Sequence, residues 1–295
     1  MRLIFLGTSG SAPTKDRGLP SMAIEHSSEL FLFDCGEGTQ RQMMQFSINV
    51  SKIKAIFLTH IHGDHTIGLA GIVRTLALNR RTAPLDVFIP EDSSNSINAL
   101  LGFDKAVMGY PINIKQVKQG RIYKGRDFSI YAFKLKHTAP TFGFVFKEND
   151  KLRFIKPKIK KLGLKGTMFR TILSKKSTKI GNKTIKLKDI TVNKPGRKIV
   201  YATDTRPMAS TIKAAVNADI LIHESTYAAS EGKLSKERLH STSIEGATIA
   251  RKANAKRLLL VHPSARYKDT SILVNEAKKI FKNTEMAKDG MIINL

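Results

Sequence analysis

Five short apolar runs in this sequence each end in a side chain that can bind a metal ion or transfer a proton. The runs are rich in β-branched and aromatic residues, which is typical of β-strands. They read KIKAIFLTH, FSIYAFKLKH, RKIVYATD, DILIHE and KRLLLVH, and their last residues are His60, His137, Asp204, Glu224 and His262. Because each strand delivers its last residue at its carboxyl end, we expect these side chains to gather at one edge of a sheet.

Helical patterns alternate with these strands. Examples are GLAGIVRTLAL and STSIEGATIARKANA, and the second opens with Ser and Thr and carries Glu245 near its start, as a helix N-terminus does. The N-terminal segments RLIFLGTSGS and SMAIEHSSELFLFDCGEG alternate apolar and polar residues and resemble hairpins of a mainly antiparallel sheet. This order predicts an α/β fold in which two sheets lie between helices.

The segment THIHGDH places three histidines and an aspartate within six positions, directly after an apolar run. His60 and His62 can converge only if the chain turns tightly after the strand, and Gly63 permits such a turn. Asp64 and His65 then open a helix-like segment and point the other way, so that one loop can face two metal ions. Imidazole and carboxylate without thiolate suit zinc, with manganese, iron or cobalt as alternatives.

The chain has a large excess of positive charge, with 50 Lys and Arg against 24 Asp and Glu. Residues 147–198 alone contain 18 basic and 3 acidic residues, which is over half of the excess in under a fifth of the chain. Such a segment indicates a polyanionic partner such as nucleic acid. The alternative of a heat-adapted surface would require Glu to rise with Lys, which is not the case here. We expect the segment to project from the core; the alternative is a solvated, flexible surface loop.

The cellular location is constrained by two absences in the sequence. No apolar run reaches the roughly 18 residues that span a bilayer, and the N-terminus lacks the apolar region of a signal peptide. The single cysteine, Cys35, excludes an intramolecular disulfide and fits a reducing compartment. We therefore expect a soluble cytoplasmic protein with no membrane association.

Eight motifs follow one another along the chain, and they read FLGTSGSAPTKDRGLPS, FLFDCGEGTQRQ, THIHGDHTIGLAGI, KHTAPTFGF, YATDTRP, HESTY, LHSTS and VHPSARY. Their order and spacing resemble those of the short-form tRNase Z family, also called ribonuclease Z, from residue 3 to about residue 270. The resemblance implies the metallo-β-lactamase fold, an αββα sandwich of two mixed β-sheets flanked by helices, in a single domain over residues 1–295. It further implies a homodimeric endoribonuclease that removes the 3′ trailer from precursor tRNA with two zinc ions per subunit.

The same resemblance assigns metal ligands by position. The implied ligands are His60, His62 and His137 for the first zinc ion, Asp64, His65 and His262 for the second, and Asp204 as a bridging carboxylate. These residues are also the ones that the strand pattern and the histidine-rich loop bring to one sheet edge. Asp34 and Glu37 are expected to orient ligand histidines, as metal sites usually require. His223 is expected to be packed, and His26 is expected to be a surface or packed histidine.

Hydrolysis also needs groups that move protons and bind phosphate. Asp64 is the expected proton acceptor for the attacking water. His240 of LHSTS is the candidate general acid for the ribose 3′-oxygen, because imidazole titrates near neutral pH, and Glu224 would hold and polarise it. Four residues that follow metal ligands closely are candidate phosphate contacts, with a structural salt bridge as the alternative: Thr205, Arg206, Ser264 and Arg266. The loop GTSGS could cradle phosphate or form a plain turn.

Residues 147–198 lie between the KHT and TDT motifs, where the family carries an inserted arm that grips the body of the tRNA. The sequence GLKGTMF lacks the Gly-Pro element usual in that arm, which bears on its shape but not on its charge. Whether the arm serves its own subunit or its partner is open. The main alternative is a dinuclear-metal hydrolase of a small phosphodiester, thioester or sulfate ester, which leaves the basic segment without a role. A non-enzymatic RNA-binding module is disfavoured because structural zinc sites are closed with four ligands.

Overall fold

The computed structural model describes residues 1–102, 109–164, 166–180 and 183–295. Lys165 of GLKGTMF, together with Gly181 and Asn182 of the expected arm, lies outside the described residues. The chain divides into two compact units. The first unit comprises Met1–Lys124, Ser129–Phe146 and Lys198–Leu295, and the second, called the basic unit below, comprises Gly125–Phe128 and Lys147–Arg197.

Seven strands form the first sheet, in the order β18, β1, β2, β3, β4, β5 and β6. They are β1 (Arg2–Gly7), β2 (Ser21–His26), β3 (Glu29–Phe33), β4 (Ile53–Phe57), β5 (Leu85–Ile89), β6 (Ile112–Gln116) and β18 (Ile292–Asn294). The expected N-terminal hairpins are present, because β1 pairs antiparallel with β2 and β2 with β3. From β3 to β6 the pairing is parallel, and the sheet is therefore mixed.

The second sheet also has seven strands, in the order β17, β16, β15, β14, β9, β8 and β7. They are β7 (Gly120–Lys124), β8 (Phe128–Lys134), β9 (Phe142–Glu148), β14 (Lys198–Ala202), β15 (Ile220–Glu224), β16 (Leu258–Val261) and β17 (Thr284–Met286). Strands β14 to β17 are parallel, whereas β7 and β8 are antiparallel. Parallel strands share one carboxyl edge, which brings the residues after β14, β15 and β16 side by side.

The helices of the first unit flank the sheets. They are α1 (Thr39–Gln45), α2 (Gly63–Thr66), α3 (Gly68–Leu78), α4 (Ser94–Leu101), α8 (Ala209–Ala215), α9 (Gly232–Glu237), α10 (Ser243–Lys252) and α11 (Ser271–Ile280), with 3-10 turns at Val50–Lys52 and Ala229–Glu231. Helix α3 coincides with the predicted segment GLAGIVRTLAL. Helix α10 starts after Thr242, and Glu245 completes its capping box, as the sequence predicted. Among the described residues no helix has the length and apolar character needed to cross a bilayer.

Apolar side chains fill three layers between these elements. Leu69, Ile72 and other residues of α3 pack on the first sheet, and Leu273 of α11 packs on the second. Aromatic rings fill the space between the sheets: Phe57 stacks on Phe88 with centroids 4.7 Å apart and meets Phe144 of the second sheet at 5.7 Å. This arrangement confirms the predicted αββα sandwich of two mixed sheets flanked by helices.

The basic unit has secondary structure and a core of its own. Its elements are β10 (Lys151–Phe154), α5 (Lys156–Lys161), α6 (Thr167–Lys175), β11 (Ser177–Ile180), β12 (Lys183–Lys186), α7 (Leu187–Ile190) and β13 (Thr191–Lys194). Strand β10 pairs with β13, and β11 pairs with β12. Ile172 and Ile190 are fully buried in a small apolar cluster with Leu164 and Leu187. The described part of this segment therefore has regular secondary structure and a small apolar core.

Candidate metal centre

The loop after β4 brings together the first group of histidines. His60 is buried, and its Nε2 lies 3.0 Å from Nδ1 of His62, which immediately precedes α2. His137, which follows β8, places its Nε2 3.3 Å from the same Nδ1 of His62. One ring nitrogen from each residue therefore converges on a common point.

The second group uses the other side of the same loop. Asp64 and His65 lie in the first turn of α2, and His262 follows β16. The Oδ2 atom of Asp64 is 3.6 Å from Nε2 of His65 and 3.7 Å from Nε2 of His262. Asp64 and His65 therefore face a second group of side chains, as the sequence predicted, and Gly63 is the first residue of α2.

Asp204, directly after β14, faces both groups through a single buried carboxylate. Its Oδ1 lies 3.3 Å from Nε2 of His65 and 3.3 Å from Nε2 of His262. Its Oδ2 lies 3.8 Å from Nε2 of His60 and 3.8 Å from Nε2 of His137. One oxygen for each group is the geometry that a bridging ligand requires.

The chemistry of the donors fits divalent cations. Nε2 of His65 and of His262 are buried and have no hydrogen-bond partner among the described residues. A buried polar atom without a partner is costly, and a metal ion would satisfy both nitrogens. The thiol of Cys35 is fully buried, which raises its pKa to about 12 and disfavours a thiolate ligand.

Asp34, after β3, fixes the orientation of His65. Its Oδ2 lies 2.9 Å from Nδ1 of His65 and accepts the hydroxyl of Tyr201 at 3.0 Å, while Oδ1 accepts the N–H of Thr59 at 2.8 Å. With the proton on Nδ1 facing this carboxylate, Nε2 of His65 is left for a metal. The expected orienting role of Asp34 therefore has a direct contact. Glu37 of the same motif does not have the expected orienting role. Its side chain is exposed and lines a separate cavity of about 510 Å³.

The N-terminal loop GTSGS packs on the second group of ligands. The N–H of Ser11 donates to Oδ2 of Asp64 at 2.9 Å. A Cβ at Gly10 would lie 2.6 Å from Nδ1 of His262, so only glycine fits against this ring. The loop is therefore more than the plain turn that its composition suggested, because it packs on the ligand candidates Asp64 and His262.

His240 and Glu224 form a buried pair beside Asp204. Nδ1 of His240 is 3.0 Å from Oε1 of Glu224, which also accepts the N–H of Thr205. The other oxygen, Oε2, accepts the hydroxyl of Thr226 at 2.6 Å and the N–H of Ser241 at 3.0 Å. Burial lowers the pKa of His240, but the Glu224 carboxylate offsets this and raises the pKa to about 9. The contact with Glu224 therefore favours the protonated form of the imidazole.

The groups open into a cleft of about 470 Å³. Its lining residues are Ser11, His62, Asp64, His137, Thr138, Asp204, Tyr227, Arg238, His240, Ser264 and Arg266. The guanidinium of Arg266 lies 5.2 Å from the centre of the Tyr227 ring and pairs with Glu231. Tyr227 and Arg238 were missed in the sequence analysis, although Tyr227 ends the quoted motif HESTY and Arg238 lies two residues before His240.

Two of the four expected phosphate contacts line the cleft, and two do not. Ser264 and Arg266 line the cleft, but Thr205 is fully buried and its hydroxyl donates to the Arg206 carbonyl. The guanidinium of Arg206 binds Glu245 and the carbonyl of His240. These bonds point Arg206 into the protein, which is the structural salt-bridge alternative. Thr205 and Arg206 are therefore corrected from phosphate-binding to structural residues.

The two remaining histidines are packed, as expected. His223 on β15 is fully buried, and its Nδ1 lies 2.8 Å from the carbonyl oxygen of Glu224. His26 on β2 is also buried and meets the Phe146 ring edge-on, with centroids 5.6 Å apart. Neither belongs to the groups that could hold a metal among the described residues.

Known proteins resemble this chain over its whole length. Proteins named ribonuclease Z from Picrophilus torridus and Archaeoglobus fulgidus are 37% and 38% identical to it, cover 100% of this chain, and are themselves covered over 96% and 97%. The crystal structure of human tRNase Z, short form, has a TM-score of 0.73 at 25% identity and covers 100% of this chain and 99% of its own. A family model described as "Anti-Pycsar protein Apyc1" matches residues 1–156. The metallo-β-lactamase fold protein YhfI from Bacillus subtilis, at 17% identity, covers 99% of this chain and 98% of its own with a TM-score of 0.72, which supports the fold.

Replacing Asp34 by Asn should weaken metal binding about 10- to 100-fold, because the amide no longer presents a carboxylate to the His65 ring. Zinc affinity would be measured by competition with a chromophoric chelator. Glu37→Gln is the matched control, since it removes an exposed carboxylate from the same motif and should leave the affinity unchanged. Equal affinities in the two variants would contradict the orienting role of Asp34.

Proposed function

The chain belongs to the ribonuclease Z family, and we propose that its His and Asp groups hold two zinc ions per subunit. As a member of this family the protein is a tRNA 3′-processing endoribonuclease that hydrolyses a phosphodiester bond of precursor tRNA. The observation that carries the two-metal proposal is the position of Asp204, with one oxygen towards each group of ligands.

The proposed ligand sets are His60, His62 and His137 for one ion, Asp64, His65 and His262 for the other, and Asp204 for both. Manganese, iron or cobalt could replace zinc, because the donors are imidazole and carboxylate. When bound, two such ions would supply an activated water for hydrolysis and neutralise charge on the phosphate oxygens.

Asp64 is the proposed proton acceptor for the attacking water. Asp64 lines the cleft. Its Oδ2 lies near Nε2 of His65 and of His262 and accepts the N–H of Ser11. That N–H holds the carboxylate in one orientation, which is what a group that both binds metal and accepts a proton requires. Burial raises the pKa of Asp64, but the contact with His262 and its neighbours outweighs this and keeps the pKa well below its usual value.

His240 is the proposed general acid. The leaving group is a ribose 3′-oxygen, a poor leaving group that gains much from protonation. The protonated ring of His240 lines the cleft on the same side as Asp204, and Glu224 supports its charge. Ser264 and Arg266 are proposed to bind phosphate of the substrate, because a guanidinium makes fork-like contacts with phosphate oxygens.

The basic unit is the proposed tRNA-binding arm, corresponding to the segment 147–198. Its helix α5 exposes Lys156, Lys160 and Lys161, and such contacts act through phosphate neutralisation, independently of sequence. Hydrolysis of a small phosphodiester, thioester or sulfate ester would give this unit no role. The homodimer and the cytoplasmic location stay predictions.

The first experiment incubates the purified protein with a precursor tRNA that carries a 3′ trailer. We expect one cut at the start of the trailer, with a 3′-hydroxyl on the tRNA and a 5′-phosphate on the trailer. Chelation should abolish cleavage, and zinc should restore it. End-group analysis would measure the products, and the opposite end groups or cleavage in chelator would refute the metal-assisted hydrolysis.

His240→Ala should lower kcat on precursor tRNA by about 10²- to 10⁴-fold, the usual contribution of a general acid. The loss on bis(p-nitrophenyl) phosphate should be much smaller, because p-nitrophenolate leaves without protonation. Single-turnover rates on both substrates would be compared. Equal losses would argue against His240 as the general acid.

Replacing Lys156, Lys160 and Lys161 by Gln should weaken precursor tRNA binding and lower the slope of log affinity against log salt by about 2 to 3. Titrations at several salt concentrations would measure the slope. The matched control replaces three exposed lysines in and just after the last turn of α11 by Gln: Lys278, Lys279 and Lys282. If both triple variants lost the same affinity, net charge rather than the basic unit would be responsible.

A further inference from the structure

Arg206 makes a set of buried contacts that the catalytic proposal does not use. Its guanidinium donates to the carbonyl oxygen of His240, to Oγ of Ser235 at 3.0 Å, and to both carboxylate oxygens of Glu245. Its side chain is 14% exposed, so these bonds are largely shielded from water. Arg206 follows Asp204 by two residues, and its network reaches the cleft through the backbone of His240.

Arg206 binds the segment 239–241 through the carbonyl oxygen of His240. The three residues of this segment contact three different parts of the site. The carbonyl oxygen of Leu239 lies 3.2 Å from Nδ1 of His137 and orients this ligand candidate. The side chain of His240 points into the cleft, and the N–H of Ser241 binds Glu224. Leu239 has a φ of +55°, a left-handed conformation that costs energy for a leucine. A segment in such a conformation needs external bonds to stay in place.

Further hydrogen bonds hold both Arg206 and its partner Glu245 in place. The backbone N–H of Arg206 donates to the carbonyl of Lys136 at 2.9 Å, next to His137. Glu245 lies in the first turn of α10, where its Oε2 also accepts the N–H of Thr242 at 2.9 Å. The guanidinium of Arg206 therefore joins His240 to the capped helix α10, and the backbone N–H of Arg206 joins it to the segment that follows β8.

We propose that Arg206 and Glu245 are positioning residues that hold His240 where it can protonate the leaving 3′-oxygen. The inference rests on the proposed role of His240 and deepens it. Neither residue touches the substrate. A planar guanidinium can bind the carboxylate and the carbonyl at once, whereas the single ammonium of a lysine cannot reproduce the fork.

The test uses the full chain loaded with zinc and two substrates, precursor tRNA and bis(p-nitrophenyl) phosphate. Arg206→Met should lower kcat on precursor tRNA by about 10²-fold, at the lower end of the loss expected for a general acid. Its rate on bis(p-nitrophenyl) phosphate should stay within a few-fold of wild type, because that leaving group needs no proton. Arg206→Lys should show the same pattern to a smaller degree, and so should Glu245→Gln, which keeps a capping residue on α10.

Arg257→Met is the matched control, because one guanidinium nitrogen of Arg257, just before β16, donates to both carboxylate oxygens of Glu285 on β17. It should leave the ratio of the two rates unchanged, even if the melting temperature falls. If Arg206→Met fails to fold by circular dichroism, Arg206→Lys and Glu245→Gln decide the question.

Two results would overturn the inference, and they differ from a failure of the proposed function. If His240→Ala shifts the ratio of the two rates but the Arg206 and Glu245 variants do not, His240 is the acid and the fork is only structural. Equal losses on both substrates in the Arg206 variants lead to the same conclusion. If His240→Ala itself leaves the ratio unchanged, the general-acid assignment fails, and the positioning role fails with it.

Discussion

The candidate metal centre depends on the carboxylate of Asp204, which faces both groups of ligand candidates. It has Oδ1 towards His65 and His262 and Oδ2 towards His60 and His137, so small displacements of either sheet would separate it from one pair. The loop after β4 belongs to the first sheet, and the other ligand candidates follow strands of the second. The sandwich must therefore hold two sheet edges at a fixed distance. The stacked rings between the sheets provide that stiffness, and the hydrogen bond from Phe142 N–H to the Thr59 carbonyl joins the edges next to His60.

Several residues in the turns around this centre have an unfavourable backbone conformation. Asp34, Asp204, Leu239 and His262 all have φ between +47° and +58°, which non-glycine residues rarely adopt. Each such residue costs about 1 to 3 kcal/mol, and the surrounding hydrogen bonds must offset this. The bonds of Asp34 to Thr59, His65 and Tyr201 are one example. The centre is thus a place where local backbone preference yields to buried polar contacts.

Much of this arrangement could be predicted because it is encoded locally. The apolar runs ending at His60 and Asp204 are strands whose ends meet, and the bounds of α3 follow from helical spacing. The predicted roles that were wrong depend on where a side chain points. Proximity to a metal ligand along the chain does not determine that direction. Arg206 follows Asp204 closely, yet its partner Glu245 is 39 residues away in the sequence, and Glu37 turns outward only three residues after Asp34. The basic unit shows the same limit, since its few apolar residues become a core only through tertiary packing.

The packing of Gly10 and Ser11 on His262 and Asp64 joins the start of the chain to residues that follow much later in the sequence. The loop that seats the second ligand group is translated first, the histidine-rich loop follows, and His262 emerges from the ribosome long after both. A nascent chain that has not reached His262 carries neither a complete ligand set nor the ring on which Gly10 packs. The second group of ligand candidates can therefore be completed only after the chain has been synthesised as far as His262.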